Sequence, residues 1–441
     1  MDNKLSRKNY RFEIDGIRAF AVIAVIINHF NKEILPSGYL GVDIFFVISG
    51  YVITSSLSNK KNTNFFDYIS SFYERRIKRL VPALLIYVII FSILICLFDP
   101  NPNFSLRTGI TSLFGISNLY LFNASTDYFS NGTQFNVFTQ TWSLGVEEQF
   151  YIVFPIIVWF TGFGQQTKNG YRNLFISILF LVIFSLILFV YIYPRNQSFA
   201  YFLMPTRFWE MATGCLIFLT LKRRKAISIV LEKISPFIVL TAMIGVMFLP
   251  QSFALVSTIS IVLLSSLLLS CLKEGKLLFK VFTNKKITYI GLISYSLYLW
   301  HWGVISISRW TIGIHWWSIP FQLLLIIFFA VSSYKWIEAP LRKKNWSSKG
   351  LKTILKGIFA IIFSTIFIIG LEKSLREKFY LGTKKSQSNT LKPYFKKLLI
   401  DKDCYDMYFP KKYNHQSVLK KCTAKNKTNK QTLYFLGDSQ T

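Results

Sequence analysis

Two ionisable residues, Arg18 and His29, lie inside the first long apolar run of the chain. They are eleven positions apart, which is about three helical turns, so a helix places both on one face with about 16 Å between them along its axis. A charge at the centre of a bilayer costs about 2.5–3.5 kcal/mol on insertion scales, which makes such residues candidates for function. The alternative is an interfacial Arg that snorkels to water and a His that is hydrogen-bonded to a neighbour.

Three further acidic side chains and one His accompany this pair. Asp43 enters the next apolar run a short turn after His29, and a carboxylate beside an imidazole favours general-base chemistry on a hydroxyl. Glu147 and Glu148 begin a later run, and because consecutive helical residues point about 100° apart, at least one should face a polar cavity. His301 lies among aromatic residues, where a catalytic role and a purely structural role are equally consistent with the sequence.

Basic residues precede the third apolar run, among them Arg76 and Arg79. Such a cluster is typical of a topology signal or a lipid-headgroup contact. The spacing of three residues also allows two guanidinium groups on one helix face to bind phosphate oxygens of a cytosolic donor. Glu338 follows a late apolar run and can pair with Arg342 four residues later.

The composition excludes a soluble globular chain. Of the 441 residues, 52% are hydrophobic, 17% aromatic and only 16% charged, whereas soluble domains carry about 25% charged residues. The 43 Phe and 23 Tyr exclude intrinsic disorder. A net charge of +30 keeps nucleic-acid binding open until the basic residues are located.

Apolar runs of about 20 residues, enough to cross a hydrocarbon core of about 30 Å, predict an all-α polytopic membrane protein with about 11 transmembrane helices. The predicted spans are 14–31, 39–57, 80–98, 145–162, 173–193, 204–221, 235–250, 253–271, 288–308, 317–337 and 354–371. A twelfth run, Gly109 to Phe122, is short and polar, and we expect it to be re-entrant or interfacial.

The basic residues orient these spans. With a cytosolic N-terminus, the predicted cytosolic segments hold 27 Lys and Arg and the short outer segments hold 4. This bias follows the positive-inside rule and removes the support for nucleic-acid binding. Eleven crossings place the tail after residue 372 outside the cytosol, where Cys404 and Cys422 could form a disulfide or remain free thiols.

Six sequence strings, in this order and spacing, resemble the membrane acyltransferase type 3 family. They are RFEIDGIRAFAVIAVIINHF, GYLGVDIFFVISGYVIT, FYERRIKRLVPAL, QTWSLGVEEQFYIVFP, ISYSLYLWHW and WIEAPLR. The resemblance implies transfer of an acyl group, usually acetyl, from cytosolic acyl-CoA (acetyl-CoA) across the membrane to a carbohydrate hydroxyl, with no metal.

The resemblance also assigns residues. The Arg and His motif of the family falls on Arg18 and His29, its RxxR motif for donor handling on Arg76 and Arg79, and its late acidic residue on Glu338. We therefore expect His29 to act as base or transient acyl acceptor. In that scheme Asp43 assists it, Glu147, Glu148 and His301 complete the catalytic group, and the arginines with Glu338 bind the donor.

The predicted domains are the acyltransferase membrane domain at 10–345, an additional transmembrane helix at 346–372, and an extracytoplasmic linker at 373–441. The linker ends in TLYFLGDSQT, which resembles the start of an SGNH-type esterase domain with Ser439 as nucleophile. An activated Ser needs a His base, an orienting acid and oxyanion donors. Since the chain stops two residues after Ser439, we expect no SGNH catalysis from this chain alone, and a separate SGNH domain or protein could supply it.

The expected location is the bacterial inner (plasma) membrane, with membrane lipid and a cell-surface glycan acceptor as partners and no nucleic acid. The favoured acceptor is lipopolysaccharide O-antigen, and the alternatives are peptidoglycan and exopolysaccharide. A transporter or flippase of lipid-linked sugars is the competing class, although the two halves show none of the self-similarity common in transporters.

Overall fold

The computed structural model describes residues 10–58, 64–124, 132–223, 229–231, 233–347, 350–375 and 379–381. Within these ranges the regular structure is entirely helical. We number the α-helices in chain order: α1 Phe12–Phe30, α2 Gly41–Ser58, α3 Phe65–Phe98, α4 Asn103–Leu113, α5 Ser117–Asn123, α6 Trp142–Phe160, α7 Gly170–Ile192, α8 Gln197–Phe202, α9 Met204–Arg223, α10 Pro236–Met247, α11 Ala254–Cys271, α12 Leu277–Phe282, α13 Lys285–Leu292, α14 Ser294–Trp310, α15 Ile319–Ser333, α16 Ala339–Lys343 and α17 Gly350–Gly370.

The helices confirm an all-α polytopic membrane protein. Among the described residues, seven helices are long and apolar enough to cross a membrane, and α13 with α14, bent by 65°, makes an eighth span if the pair crosses as one. Each of the other three predicted spans also overlaps a helix: α1 and α9, which carry several charges, and α10, which has only 12 residues. The number of eleven crossings and the cytosolic N-terminus stay predictions.

The polar run from Gly109 to Phe122 is broken into two helices. α4 has 11 residues and α5 has 7, and neither covers the roughly 20 residues that a span needs. The chain turns between them at Gly115, whose φ of +68° suits glycine. The Asn118 side chain then donates a hydrogen bond to the Phe202 carbonyl over 3.0 Å and accepts one from the Gln149 side chain over 2.8 Å. These hydrogen bonds satisfy polar groups that lie inside the protein beside the break between the two helices.

Helix α1 packs against α2, α13 and α14, and close backbone contacts fix its position. A Cβ added to Gly291 on α13 would overlap the Asp15 carbonyl oxygen, and one added to Gly41 at the start of α2 would overlap the Ala21 carbonyl oxygen. Small residues allow helices in membranes to approach in this way. The packing holds the candidate residues Arg18 and His29 in place relative to their neighbours.

Helices α2 and α9 make the same kind of contact. A Cβ on Gly50 would overlap the Met211 carbonyl oxygen, and a Cβ on Gly214 would overlap the Val47 carbonyl oxygen. Two glycines therefore face each other's helix backbone, and neither site has room for a methyl group.

Replacing Gly50 by Ala should force α2 and α9 apart and lower the stability by about 1–3 kcal/mol, the usual range for overpacking. Thermal unfolding of the purified protein, followed by size-exclusion fluorescence, measures this change. Gly245→Ala on α10 is the matched control, because a Cβ there meets no other atom within 4 Å. Equal melting temperatures for the two variants would contradict the close packing.

Candidate active site

A pair of histidines joins α1 to α14. His29 Nδ1 lies 2.9 Å from His301 Nε2, and the two rings are nearly parallel, with centroids 5.1 Å apart. His301 Nδ1 lies 3.1 Å from the Leu297 carbonyl oxygen, which can only accept, so Nδ1 of His301 carries the proton. In the neutral ring His301 Nε2 is then an acceptor, and His29 must donate its Nδ1 proton to it. This assigns the lone pair of His29 to Nε2.

The surroundings of His29 hold its ring and its backbone. The Trp302 ring meets His29 edge-on at a centroid distance of 4.7 Å, and Arg309 Nη2 donates to the His29 carbonyl oxygen over 2.9 Å. His301 is fully buried and His29 is 7% exposed. Trp302 and Arg309 both lie on α14, as does His301, so one helix positions the ring, the backbone and the hydrogen-bond partner of His29.

His29 lines a cavity of about 850 Å³, including its mouth, which we call the His cavity. Its other lining side chains are mostly amides, charged groups and aromatic rings: Asn28, Asn31, Lys32, Glu33, Tyr39, Gln134, Gln251, Trp302 and Arg309. Lys32 and Glu33 are exposed, so the cavity opens at the protein surface.

A second cavity, of about 710 Å³ including its mouth, contains the predicted basic residues. We call it the Arg cavity. Arg18, Arg76 and Arg79 all line it, although they come from two helices, α1 and α3. Its polar residues also include Ser49, Glu147, Tyr151 and Tyr298.

Arg76 is held ready for an anion. Its guanidinium lies 5.6 Å from the ring centroids of both Phe72 and Tyr151, and its Nε is buried without a hydrogen-bond partner. A buried N–H without a partner costs free energy that a bound ligand oxygen can recover. Arg18, 18% exposed at its side chain, has Asp15 as its ion-pair partner at 3.7 Å.

The two adjacent glutamates point in different directions. Glu147 lines the Arg cavity and accepts a hydrogen bond from Ser49 Oγ over 2.5 Å. Glu148 faces the break between α4 and α5, where its Cβ lies 2.9 Å from a Cβ built on Gly115. The structure therefore brings Glu147, and not Glu148, to the cavity.

Glu338 lies beside the Arg cavity without lining it. It accepts a hydrogen bond from Ser296 over 3.1 Å and lies 3.8 Å from Arg342, so the ion pair suggested by their spacing is present. It also interacts electrostatically with Arg79 and Arg18. Its carboxylate therefore offsets part of the positive charge of these arginines.

Asp43 has a different partner from the one predicted. Its carboxylate pairs with Arg207 on α9 at 2.8 Å, and Arg207 pairs with Glu210 at 2.5 Å. Among the described residues no hydrogen bond joins Asp43 to His29, because Arg207 takes up the carboxylate. The three side chains are almost completely buried, so the cluster compensates charge inside the apolar interior.

Neither Arg207 nor Glu210 was among the residues predicted from the sequence to form the site. The available signal was the spacing Arg207-x-x-Glu210 in an apolar helix, which places both residues on one face. This spacing could have indicated that Arg207 pairs with Glu210 on its own helix as well as with Asp43 on α2.

Comparison with known proteins identifies the family of the chain. A family model described as an acyltransferase domain matches residues 11–372. The chain belongs to the type 3 membrane acyltransferase family. The matched acyltransferase domain contains both cavities and the histidine pair, and it extends over residues 346–372.

Three relatives of this chain come from Staphylococcus aureus. O-acetyltransferase OatA of strain NCTC 8325 is 31% identical over 386 residues, covering 83% of this chain and 63% of the relative. A putative O-acetyltransferase of strain MRSA252 is 31% identical over 396 residues, with 83% and 64% covered. Another, of strain MSSA476, is 32% identical over 373 residues, with 78% and 60% covered.

The chain thus spans less than two thirds of the length of these relatives. No solved structure matches it. Ser439, Cys404 and Cys422 lie outside the described residues, so the predicted SGNH start and disulfide stay predictions. In the described part of the chain, no three His, Cys, Asp or Glu side chains converge as metal ligands.

Replacing Arg207 by Met should lower the stability by about 3–5 kcal/mol, because two buried acids then lack their cation. Asp43→Asn together with Arg207→Met should recover part of this loss. Thermal unfolding of the single and double variants measures the coupling, with the exposed Arg195→Met as control. If Asp43 acted chemically at His29 instead, Asp43→Asn would abolish activity and show no coupling to Arg207.

Proposed function

We propose that this protein is an integral membrane O-acetyltransferase that transfers an acetyl group from cytosolic acetyl-CoA to hydroxyls of a cell-surface polysaccharide. The observation that carries the proposal is the buried His29–His301 pair between an arginine-lined cavity and a polar cavity that opens at the surface. Family membership and the names of the relatives, which are O-acetyltransferases, support the reaction type.

The Arg cavity suits a phosphorylated donor. Three guanidinium groups in one cavity match the phosphates of a coenzyme A ester, and Arg76 Nε, buried without a partner, supplies a donor for one more oxygen. Along α1, about 16 Å separates Arg18 from His29, which is of the order of the length of a pantetheine arm. Phosphates held at the arginines can therefore present a thioester near the histidine pair.

The chemistry falls to His29. Its Nε2 lone pair takes the proton of the acceptor hydroxyl, the acceptor oxygen bonds to the acyl carbon, and the carbon–sulfur bond breaks. The departing thiolate takes up this proton from His29 Nε2, which gives ester and thiol and returns His29 to its neutral form. His301 Nε2 keeps accepting the Nδ1 proton of His29, so it stabilises the imidazolium while that charge exists. Asp43, paired with Arg207, supports the packing of α2 on α9.

The His cavity suits a sugar. Amide side chains such as Asn28, Asn31 and Gln134 hydrogen-bond hydroxyls in both directions, and Trp302 offers an aromatic face. We propose lipopolysaccharide O-antigen as the acceptor, with peptidoglycan and exopolysaccharide as alternatives. Mass spectrometry of surface glycans from deletion and complemented strains distinguishes them, because the acetyl ester disappears only from the true acceptor.

Replacing His29 by Ala removes the Nε2 atom that acts as the base, and no other described group lies at its position. The variant should therefore not acetylate the surface glycan. His301→Phe keeps an aromatic ring but removes the acceptor for His29 Nδ1, and it should lower kcat on the order of 10²-fold. Ester content is measured by mass spectrometry, in strains with equal amounts of inserted protein. His315→Ala is the control, since His315 lines neither cavity. Wild-type acetylation in the His29 variant would refute the proposed role.

Replacing Arg76 by Lys should raise KM for acetyl-CoA about tenfold and change kcat less, because an ammonium group cannot reproduce the planar guanidinium fork. Arg75→Lys is the matched control, since Arg75 is the preceding residue and is exposed outside the cavity. Initial rates at varied acetyl-CoA concentration measure both constants. Identical KM values for the two variants would argue against donor binding at the Arg cavity.

A further inference from the structure

The two cavities are separate. In the described part of the chain, the linings of the Arg cavity and the His cavity have no residue in common. Tyr298 on α14 lines the Arg cavity, and His29 lines the His cavity. The structure therefore shows a state in which a donor and an acceptor would be kept apart.

Three rings in succession, those of Tyr298, His301 and His29, connect the lining of the Arg cavity to that of the His cavity, and we call them the wall. The Tyr298 ring centroid lies 5.5 Å from that of His301, one helical turn further along α14, and the His301 ring lies 5.1 Å from that of His29. Only Tyr298 of these three faces the Arg cavity. A group that moves from the arginines to His29 along these contacts meets the Tyr298 ring first.

Hydrogen bonds lock Tyr298 in this position. Its hydroxyl lies 2.7 Å from Ser143 Oγ and donates to the Gln140 carbonyl oxygen over 3.0 Å. The Gln140 side chain in turn donates to Tyr87 Oη over 2.7 Å and to the Leu299 carbonyl oxygen over 3.3 Å. These hydrogen bonds, which we call the latch, connect α14 to α6, to the turn that precedes α6, and to α3.

We propose that Tyr298 is a partition that decides whether the acyl group reaches an acceptor hydroxyl or is lost to water. The inference rests on the proposed acetyltransferase function. A thioester exposed to water hydrolyses: water adds to the acyl carbon, the carbon–sulfur bond breaks, and acetate and thiol form. A site that excludes water prevents this side reaction, and the Tyr298 ring excludes the water of the His cavity from the Arg cavity.

The first experiment measures release of free CoA from acetyl-CoA by purified full-length protein without acceptor. Tyr298→Phe keeps the ring and loses the latch, and it should raise this hydrolysis about tenfold, which corresponds to about 1.4 kcal/mol lost from the closed state. Tyr298→Ala removes the ring as well and should raise it further. Tyr171→Phe is the matched control, because it removes a hydroxyl that donates to the Leu219 carbonyl oxygen away from both cavities.

The second experiment does not depend on the donor. Ser294 lines the Arg cavity, is buried and has no hydrogen-bond partner for its Oγ, so Ser294→Cys is a mild label site. A membrane-impermeant methanethiosulfonate is added to either face of sealed vesicles, and mass spectrometry quantifies labelling at residue 294. With Tyr298 present we expect labelling from one face only, and with Tyr298→Ala from both faces.

The outcomes separate the two claims. Wild-type protein that transfers no acetyl group from acetyl-CoA would overturn the proposed function, while the labelling experiment would still test the partition. Labelling of residue 294 from both faces with Tyr298 in place would overturn the partition. Unchanged acceptor-free hydrolysis in folded Tyr298→Phe and Tyr298→Ala variants of an active enzyme would overturn it as well.

Discussion

The hydrogen bond from His29 Nδ1 to His301 Nε2 is the contact on which the site depends. Because His301 commits its Nδ1 proton to the Leu297 carbonyl oxygen, its other nitrogen can only accept, and the tautomer of His29 follows. The same bond ties α1, which also carries Arg18, to α14, which also carries Tyr298. A shift of either helix would change the protonation pattern of His29 and the boundary between the cavities at once.

The buried charges divide into two groups with different consequences. Arg207 has two carboxylates as partners and lies outside both cavities, so its charge is compensated within the fold. Arg18, Arg76 and Arg79 face a cavity instead, and the acids nearest to them, such as Asp15 and Glu338, balance only part of their charge. Burial without full pairing is costly, which supports the proposal that the second group binds an anionic donor.

Much of the architecture was predictable because hydrophobicity and charge bias act locally along the chain. Each predicted span overlaps a helix, the polar run around Gly115 is broken, and Arg18, Arg76 and Arg79 do meet in one cavity. The helical period of 100° also predicted that Glu147 and Glu148 would diverge.

Rotation of one helix against another could not be predicted. The rotation of α2 decides whether Asp43 faces His29 or Arg207, and glycine contacts such as that of Gly50 with Met211 fix it. For the same reason, His301 could be predicted as a site residue and Tyr298 could be seen to lie in a family motif, but their order between the two cavities could not be predicted. These relations come from tertiary packing, to which sequence spacing within one helix contributes nothing.

In the proposed reaction, donor and acceptor approach the histidine pair from opposite faces of the membrane. Purified protein in sealed proteoliposomes, with radiolabelled acetyl-CoA on one face and an acceptor oligosaccharide on the other, measures this directly. We expect to recover labelled acceptor from the face opposite the donor. When His29 is replaced by Ala, we expect no labelled acceptor. Labelled acceptor formed only when both substrates share a face would contradict it.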